Sequence, residues 1–240
     1  MPGDYPTIQA AINAANIGDT IKVASGTYNE NVNLKSGICL EGAGIDQTVI
    51  SKNGASGLMG SDLVYVIVKN LTISGSGGIG VDGGGIDLVG SNNITLQSCR
   101  STGNSAANGG GLLISGGNVT VNHFLIDNNS AQNIGGGIVI EGSATASLTN
   151  VTVADNTWTN SLGNGGVGGV RIYGSGTQIS QSIIWGNTGQ NIIAGGASIS
   201  NSDIGGWSGG TNNISSDPHF SSPSDFHLQA GSPASGMGVY

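Results

Sequence analysis

Short runs in which apolar and polar residues alternate recur along the middle of the chain. Such alternation is typical of β-strands, because successive side chains of a strand point to opposite faces. The paired apolar positions are Ile86/Leu88, Leu112/Ile114, Ile138/Ile140 and Val170/Ile172. The pattern therefore predicts a series of short strands, each with one face toward a core.

These strands belong to a repeat that ends in asparagine followed by Ser or Thr, and a glycine-rich run precedes each repeat. The spacings between the asparagines are 25, 27 and 31 residues. The four asparagines are Asn104, Asn129, Asn156 and Asn187. A period in this range indicates a solenoid, and the Gly, Asn, Ser, Thr, Ile and Val content favours strands over helices. The predicted fold class is all-β, a parallel β-helix whose coils stack about 4.8 Å apart.

Stacking places the four asparagines in one column, which we interpret as a structural ladder. Each side-chain amide would bond to the asparagines above and below, at a corner where asparagine tolerates left-handed backbone. Another column, five positions earlier, contains Cys99 and is expected to face the core. Cys39 lies two or more coils away, about 10 Å or more, so both thiols are predicted to be unpaired.

We expect one domain over 1–240. Both ends of the chain differ from the repeat. Residues 1–18 are predicted to form an N-terminal cap, because Ile8 and Ile12 fall on one helical face. The coils are expected over 19–206. An irregular C-terminal cover is expected over 207–240, folded over the last coil so that its strand edges are not exposed.

Composition excludes several classes of function. The net charge is −8, and the six Lys and Arg residues are scattered, so they cannot form the positive stripe that a nucleic acid requires. No run of 18 apolar residues exists, so no membrane span is expected. His123, His219 and His227 show no ligand spacing, and no metal site is predicted. We expect a monomer.

One outward face carries a candidate binding site. If Ile138 and Val170 point inward, then Glu141, Arg171 and Tyr173 lie on adjacent coils of the same face. A carboxylate, a guanidinium and a phenol could supply an acid or base, a clamp for a uronate, and a stacking platform. The alternative is a solvated ion pair beside an exposed tyrosine.

Two tryptophans beside the asparagine column complete the set of candidate substrate-binding residues. Trp158 follows Asn156, and Trp185 precedes Asn187. Both rings could stack on pyranose rings. They could instead shield the long loop between Thr157 and Gly168.

Several stretches carry a family resemblance. They are Asp-Tyr-Pro-Thr-Ile-Gln-Ala-Ala-Ile at 4–12, Gly-Thr-Tyr-Asn-Glu-Asn-Val at 26–32, Leu-Glu-Gly-Ala-Gly at 40–44, Asp-Pro-His-Phe at 217–220 and Phe-His-Leu-Gln-Ala-Gly-Ser-Pro-Ala at 226–234. The opening is similar to that of pectin methylesterases. The chain as a whole resembles right-handed β-helix proteins of the pectin-lyase-like superfamily, and its repeats and ending resemble secreted bacterial members with cell-surface anchors. The resemblance implies right-handed coils, a secreted or cell-surface location, and binding of a polysaccharide or cell-surface glycan along the outside of the coil.

The resemblance brings no catalytic residue with it. The Arg-Pro-Trp context of the methylesterases is absent, since the only arginines are Arg100 and Arg171, and we find no calcium-binding aspartate cluster of the pectate-lyase type. We therefore expect a glycan-binding or structural protein that needs no cofactor. The alternative is a polysaccharide lyase or carbohydrate esterase acting on an acidic polysaccharide, and a lyase could require calcium.

Overall fold

The computed structural model describes residues 4–160 and 166–238, beginning with a helix that closes one end of the coil. Helix α1 spans Ile8–Ala14. The Glu30 carboxylate accepts hydrogen bonds from the amides of Ile8 (2.9 Å) and Gln9 (3.0 Å) and so holds the first turn of the helix. Ile8 and Ile12 are buried in the core, as the helical pattern predicts.

Strands make up about half of the described residues, and most of the strands are short. The first eight are β1 (Thr20–Val23), β2 (Gly26–Tyr28), β3 (Val32–Asn33), β4 (Cys39–Gly42), β5 (Thr48–Ile50), β6 (Leu58–Ser61), β7 (Val64–Lys69) and β8 (Thr72–Ser74). The central strands are β9 (Ile86–Val89), β10 (Asn92–Thr102), β11 (Ser105–Asn108), β12 (Leu112–Ser115), β13 (Asn118–Asp127), β14 (Ser130–Ile134), β15 (Ile138–Glu141), β16 (Thr145–Ala154) and β17 (Thr157–Trp158). The last are β18 (Val167–Ile172), β19 (Ser175–Ser180), β20 (Ile183–Trp185), β21 (Gln190–Ile193), β22 (Gly196–Ser200), β23 (Asp203–Ile204), β24 (Phe220–Ser222) and β25 (Asp225–Leu228).

The strands stack in parallel and form four sheets, one on each side of the β-helix. We number these sheets I to IV in the order in which the chain passes through them within one coil. Sheet I contains β3, β6, β9, β12, β15, β18 and β21. Sheet II contains β1, β4, β7, the first halves of β10, β13 and β16, then β19 and β22. Sheet III contains β2, β5, β8, the second halves of β10, β13 and β16, then β20 and β23. Sheet IV contains β11, β14 and β17. The chain passes through the four sides in turn, so the apolar core separates sheet I from sheet III.

Inward residues from successive coils fill the interior. In sheet I, Ile86, Leu112, Ile138 and Val170 occupy one register column, and each has 0% exposure. Because aliphatic side chains occupy the interior, a ligand must bind on an outer face.

Left-handed residues turn the chain at two corners. Between sheets II and III this residue is His123 in one coil (φ 49°) and Asn150 in the next (φ 51°). Between sheets III and IV it is the residue before each ladder asparagine, for example Asn128 and Asp155, both with φ 54°. The expectation that the ladder asparagine itself is left-handed was wrong, because its predecessor makes the turn.

The four asparagines form a hydrogen-bonded ladder in the interior. Nδ2 of Asn104 donates to Oδ1 of Asn129, Asn129 donates to Asn156, and Asn156 donates to Asn187, each at 2.9 Å. Each Oδ1 also accepts the backbone amide of the asparagine before it, at 2.9 to 3.0 Å. The glycine runs make room for this column, since a Cβ on Gly137 would lie 3.1 Å from Nδ2 of Asn156.

The C-terminal segment expected as a cover over 207–240 has two parts: it first stacks on the last coil, as predicted, and then lies along sheet III. Coil pairing continues beyond residue 206, since Ser200 and Asp203 form parallel bridges with Thr211 and Ile214. The hairpin of β24 and β25 then packs Phe226 against Leu125 and Ala154 on the outside of the coil. Only the hairpin departs from the predicted position, because aliphatic residues on the outer face of sheet III provide it with an apolar surface.

Both cysteines are free thiols. Cys99 is fully buried, and this burial raises the pKa of its thiol to about 12. Cys39 is half-buried in sheet II, and desolvation raises the pKa of its thiol. The core-facing column predicted for Cys99 is present, because its register neighbours Phe124 and Val151 are also buried.

Candidate functional site on the outer face of sheet I

The outer face of sheet I brings together the three charged or phenolic residues selected from the sequence. Arg171 pairs with Val139 of the preceding coil. Tyr173 follows β18, and its amide donates to the Ile140 carbonyl at 3.0 Å, which places Tyr173 beside Glu141. The inward and outward assignment of these strands is therefore the one that the alternation predicts.

Arg171 stacks on Tyr173. The guanidinium carbon lies 4.4 Å from the centroid of the phenol ring, which is 50% exposed. This cation–π contact holds the guanidinium plane against the sheet and contributes about 0.5–1 kcal/mol at an exposed site. Nε of Arg171 is buried and has no hydrogen-bond partner among the described residues. Because this atom is buried, a ligand on the face could reach only the remaining, exposed part of the half-buried Arg171 side chain.

Glu141 does not neutralise Arg171. Within residues 4–160 and 166–238, no ion pair joins the two side chains. The solvated ion pair considered as the alternative is therefore not formed in this part of the structure. The guanidinium keeps its charge available on the face, flanked by the Tyr173 ring.

Asp87 is a site residue that the sequence reasoning did not select. It lies in the column of Arg171, separated from it by Leu113 and Val139. Burial raises the pKa of its carboxyl to about 6, and the nearby charges of Asp82 and Glu141 add to this effect. Its Oδ1 is buried without a hydrogen-bond partner in the described structure.

A glycine turn produces the burial of Asp87. Gly83 has a φ of 59°, and a Cβ there would lie 2.7 Å from Cα and Cβ of Asp87. The chain thus folds directly over the outer face at this edge of the sheet. Gly135 does the same above Val139, whose exposure is 0% although it points outward. The outward alternation was visible in the sequence, but this recess was not.

The second arginine is fully engaged elsewhere. Arg100 lies in sheet III, and its Nε and Nη2 donate to the two carboxylate oxygens of Asp127 at 2.8 and 2.9 Å. Nη1 lies 3.5 Å from Asp46. Asp127 has no exposed surface, so this pair stabilises the structure rather than offering a cation to a ligand.

The two tryptophans lie on different sides of the coil. Trp158 is in sheet IV, where its Nε1 donates to the Asn133 carbonyl at 2.7 Å and its ring packs on the backbone of Gly166. It therefore shields one end of the long loop, whose residues 161–165 lie outside the described residues. Trp185 is in sheet III, across the core from Arg171. The structure does not bring it to the candidate face.

The histidines occupy separate places. His123 sits at a corner with its Nε2 3.3 Å from Nδ2 of Asn150, His219 lies in the C-terminal segment, and His227 pairs with Asp225 in the hairpin. Across the described residues, no three His, Cys, Asp or Glu side chains are grouped so that they could hold a metal ion. Helix α1 has seven residues, and within residues 4–160 and 166–238 no helix has the length and apolar character of a membrane span.

The stacked parallel sheets and the inward columns define a parallel β-helix. The family model described as a right handed beta helix region matches residues 11–168. The chain belongs to this family, and the predicted fold class is confirmed.

Among solved structures, the chain is similar to the A-module of the mannuronan C-5 epimerase AlgE4 of Azotobacter vinelandii. The TM-score is 0.50, with 15% identity over 86% of this chain and 71% of that one. At this identity the likeness concerns the fold. No curated protein sequence matches the chain.

Proposed function

We propose that the protein binds an acidic polysaccharide along the outer face of sheet I. The observation that carries the proposal is Arg171, a guanidinium held by Tyr173 and not paired with any carboxylate among the described residues. The Arg171 side chain is half-buried, so part of it is open to a ligand on this face. A uronate carboxylate offers two oxygens in the plane that a guanidinium recognises.

The shape of the face favours an extended polymer. Register columns run straight along the stacked coils at about 4.8 Å per coil. About 14 Å therefore separates the levels of Asp87 and Arg171, which lie three coils apart in one column. The edge formed by Gly83 and Gly135 borders this surface on one side. Leu113 and Val139, which lie between Asp87 and Arg171, are buried. A linear chain would therefore contact both ends of the site by lying along the neighbouring, more exposed column of Val89, Ser115, Glu141 and Tyr173.

The comparison suggests the first probe. The name of the Azotobacter vinelandii enzyme, a mannuronan C-5 epimerase, states the polymer on which that enzyme acts. A mannuronan oligosaccharide is therefore the polymer fragment to test first, with a neutral oligosaccharide of equal length as the reference. The proposed location is secreted or at the cell surface, because that is where a free polysaccharide would be met. We propose that the protein acts there as a monomer.

Isothermal titration calorimetry tests the binding. Replacing Arg171 by Ala should weaken binding of the mannuronan oligosaccharide by about 1.5–3 kcal/mol, or roughly 10- to 150-fold, because a charge-assisted contact is lost. Lys52→Ala is the matched control, since it removes an exposed cation that follows β5 in sheet III. Absence of saturable binding to the wild type, or equal losses in both variants, would exclude the proposed site.

Asp87 favours a second candidate function, a polysaccharide lyase or carbohydrate esterase with the same substrate. A carboxyl whose pKa is about 6 can give or take a proton near neutral pH, as general acid–base catalysis requires.

The charge of Asp87 also affects binding: ionised Asp87 repels a uronate, so acidification from pH 7.5 to 5 should tighten binding of mannuronan.

An activity screen tests catalysis. Mannuronan and pectin are incubated with the protein, with and without calcium, and the unsaturated lyase product and released ester groups are measured. Turnover that is lost in Asp87→Asn while binding persists would establish this second function. If neither polymer changes under any condition, the catalytic function is excluded and only the binding function remains.

A further inference from the structure

The C-terminal hairpin forms a groove against sheet III that is separate from the face of Arg171. Phe220 and Phe226 of the hairpin pack edge to face, with ring centroids 5.2 Å apart, and Phe226 anchors them on the coil. Beside this anchor lies a groove of about 420 Å³. Its principal lining residues are Asp155, Trp185, Asp217, His219 and Gln229.

The coil side of the groove is rigidly built. Asp155 occupies a left-handed corner with φ 54°. Its carboxylate lies over Gly186, where a Cβ would come within 2.3 Å of Oδ1, so the next coil leaves space for this side chain. Burial, and then the charge of Asp127, raise the pKa of the Asp155 carboxyl. Trp185 points outward from β20 and is half-buried, packed on Gly205.

The hairpin side is held by a short hydrogen-bond network. Asp217 accepts the His219 amide at 2.8 Å, and the Gln229 amide donates to the His219 carbonyl at 2.9 Å. Nε2 of Gln229 donates to the Phe220 carbonyl at 2.9 Å, which fixes the orientation of its side-chain amide. A carboxylate, an imidazole and an oriented amide therefore border the half-buried indole.

This combination suits a neutral sugar. A pyranose ring presents an apolar C–H face that packs on indole, while its hydroxyls pair with planar polar side chains. No Lys or Arg lines the groove within the described structure, and the Asp155 and Asp217 carboxylates would repel an anion. The volume falls within the range of small-ligand sites, about 300–1,000 Å³. We propose that the groove between Trp185 and the C-terminal hairpin binds a neutral pyranose unit.

The groove does not depend on the function proposed for sheet I. Trp185 and Arg171 are on opposite sides of the core, and the two sites differ in charge. Arg171→Ala should therefore leave sugar binding in the groove unchanged. If the wild type binds a neutral sugar but does not bind mannuronan, the result counts against the sheet I site and not against the groove.

Calorimetric titration of the whole chain with cellohexaose and mannohexaose tests the groove. Trp185→Ala should weaken binding of at least one of them about tenfold or more, since the stacking surface is removed. Trp158→Phe is the matched control on sheet IV. Asp155→Asn is a second variant in case Trp185→Ala fails to fold. Asparagine has nearly the same shape as aspartate and also tolerates left-handed backbone.

The outcomes separate clearly. Saturable binding of a neutral hexamer that falls in Trp185→Ala or Asp155→Asn, and persists in Trp158→Phe, supports the groove. If the wild type binds neither hexamer, or if both Trp185→Ala and Asp155→Asn bind like the wild type, the inference is overturned. A mannuronan oligosaccharide that binds through Trp185 more tightly than the neutral hexamers would overturn the proposed ligand class.

Discussion

Replacing Asn156 by Ala should destabilise the protein far more than removing an exposed asparagine. The Asn156 side chain donates to Asn187 Oδ1 and to the Ile126 carbonyl, at 2.9 and 2.8 Å. Its Oδ1 accepts both the backbone amide and Nδ2 of Asn129, at 3.0 and 2.9 Å. All of these groups lie in the interior, where water cannot replace the lost partner.

The expected cost follows from the groups that lose a partner. Nδ2 of Asn129 keeps a bond to the Ser101 carbonyl at 2.9 Å, but the buried backbone amide of Asn129 loses Oδ1 of Asn156 as its acceptor. A buried donor without a partner costs about 1–3 kcal/mol, and the remaining lost bonds contribute about 1 kcal/mol. We therefore expect a loss of about 2–4 kcal/mol in the free energy of unfolding.

Urea unfolding followed by circular dichroism measures this difference. Asn133→Ala is the control, because Asn133 is exposed in β14, and its effect should stay within about 0.5 kcal/mol. The slopes of the two transitions must agree for the midpoints to be compared. Equal midpoint shifts in the two variants would refute the view that the asparagine column holds the coils together.

Three further predictions concern other parts of the molecule. Native alkylation should modify half-buried Cys39 slowly and buried Cys99 only after denaturation, as peptide mass spectrometry would show; early labelling of Cys99 would contradict the coil register. Because the Asp87 pKa rises from 3.8 to about 6 on folding, its effect on stability becomes unfavourable as the pH rises through that window. Asp87→Asn should therefore be more stable than the wild type above pH 6 and equal to it below pH 4, and thermal melts that shift equally at both ends would disprove the burial of this carboxyl. Phe226→Ala should cost about 3–5 kcal/mol, since Phe226 is 3% exposed against sheet III, whereas a free hairpin would give no change in melting.

The repeated parts of the fold could be predicted from the sequence. A ladder needs the same side chain in every coil, so Asn104, Asn129 and Asn156 recur at a visible period. Alternation likewise places Arg171 on the outer face, because the inward positions must be aliphatic. The corner conformation could not be assigned, since both Asn128 and Asn129 are residue types that tolerate left-handed backbone.

The candidate site was only partly predictable, because its chemistry depends on contacts between distant segments. The pKa of Asp87 is raised first by its burial beneath the close passage of Gly83, then by the charge of Asp82, and then by that of Glu141, two coils away. The groove at Trp185 exists because Phe226 anchors a non-repeating hairpin on sheet III. Neither contact leaves a periodic signal in the sequence.

Hydrogen–deuterium exchange with and without a mannuronan oligosaccharide tests the central proposal most directly. Binding along the outer face of sheet I should slow exchange in β12, β15 and β18, and leave β20 and the C-terminal hairpin unchanged. The same experiment on Arg171→Ala should show no protection at β18. Protection confined to sheet III, or none at all at saturating oligosaccharide, would contradict the account.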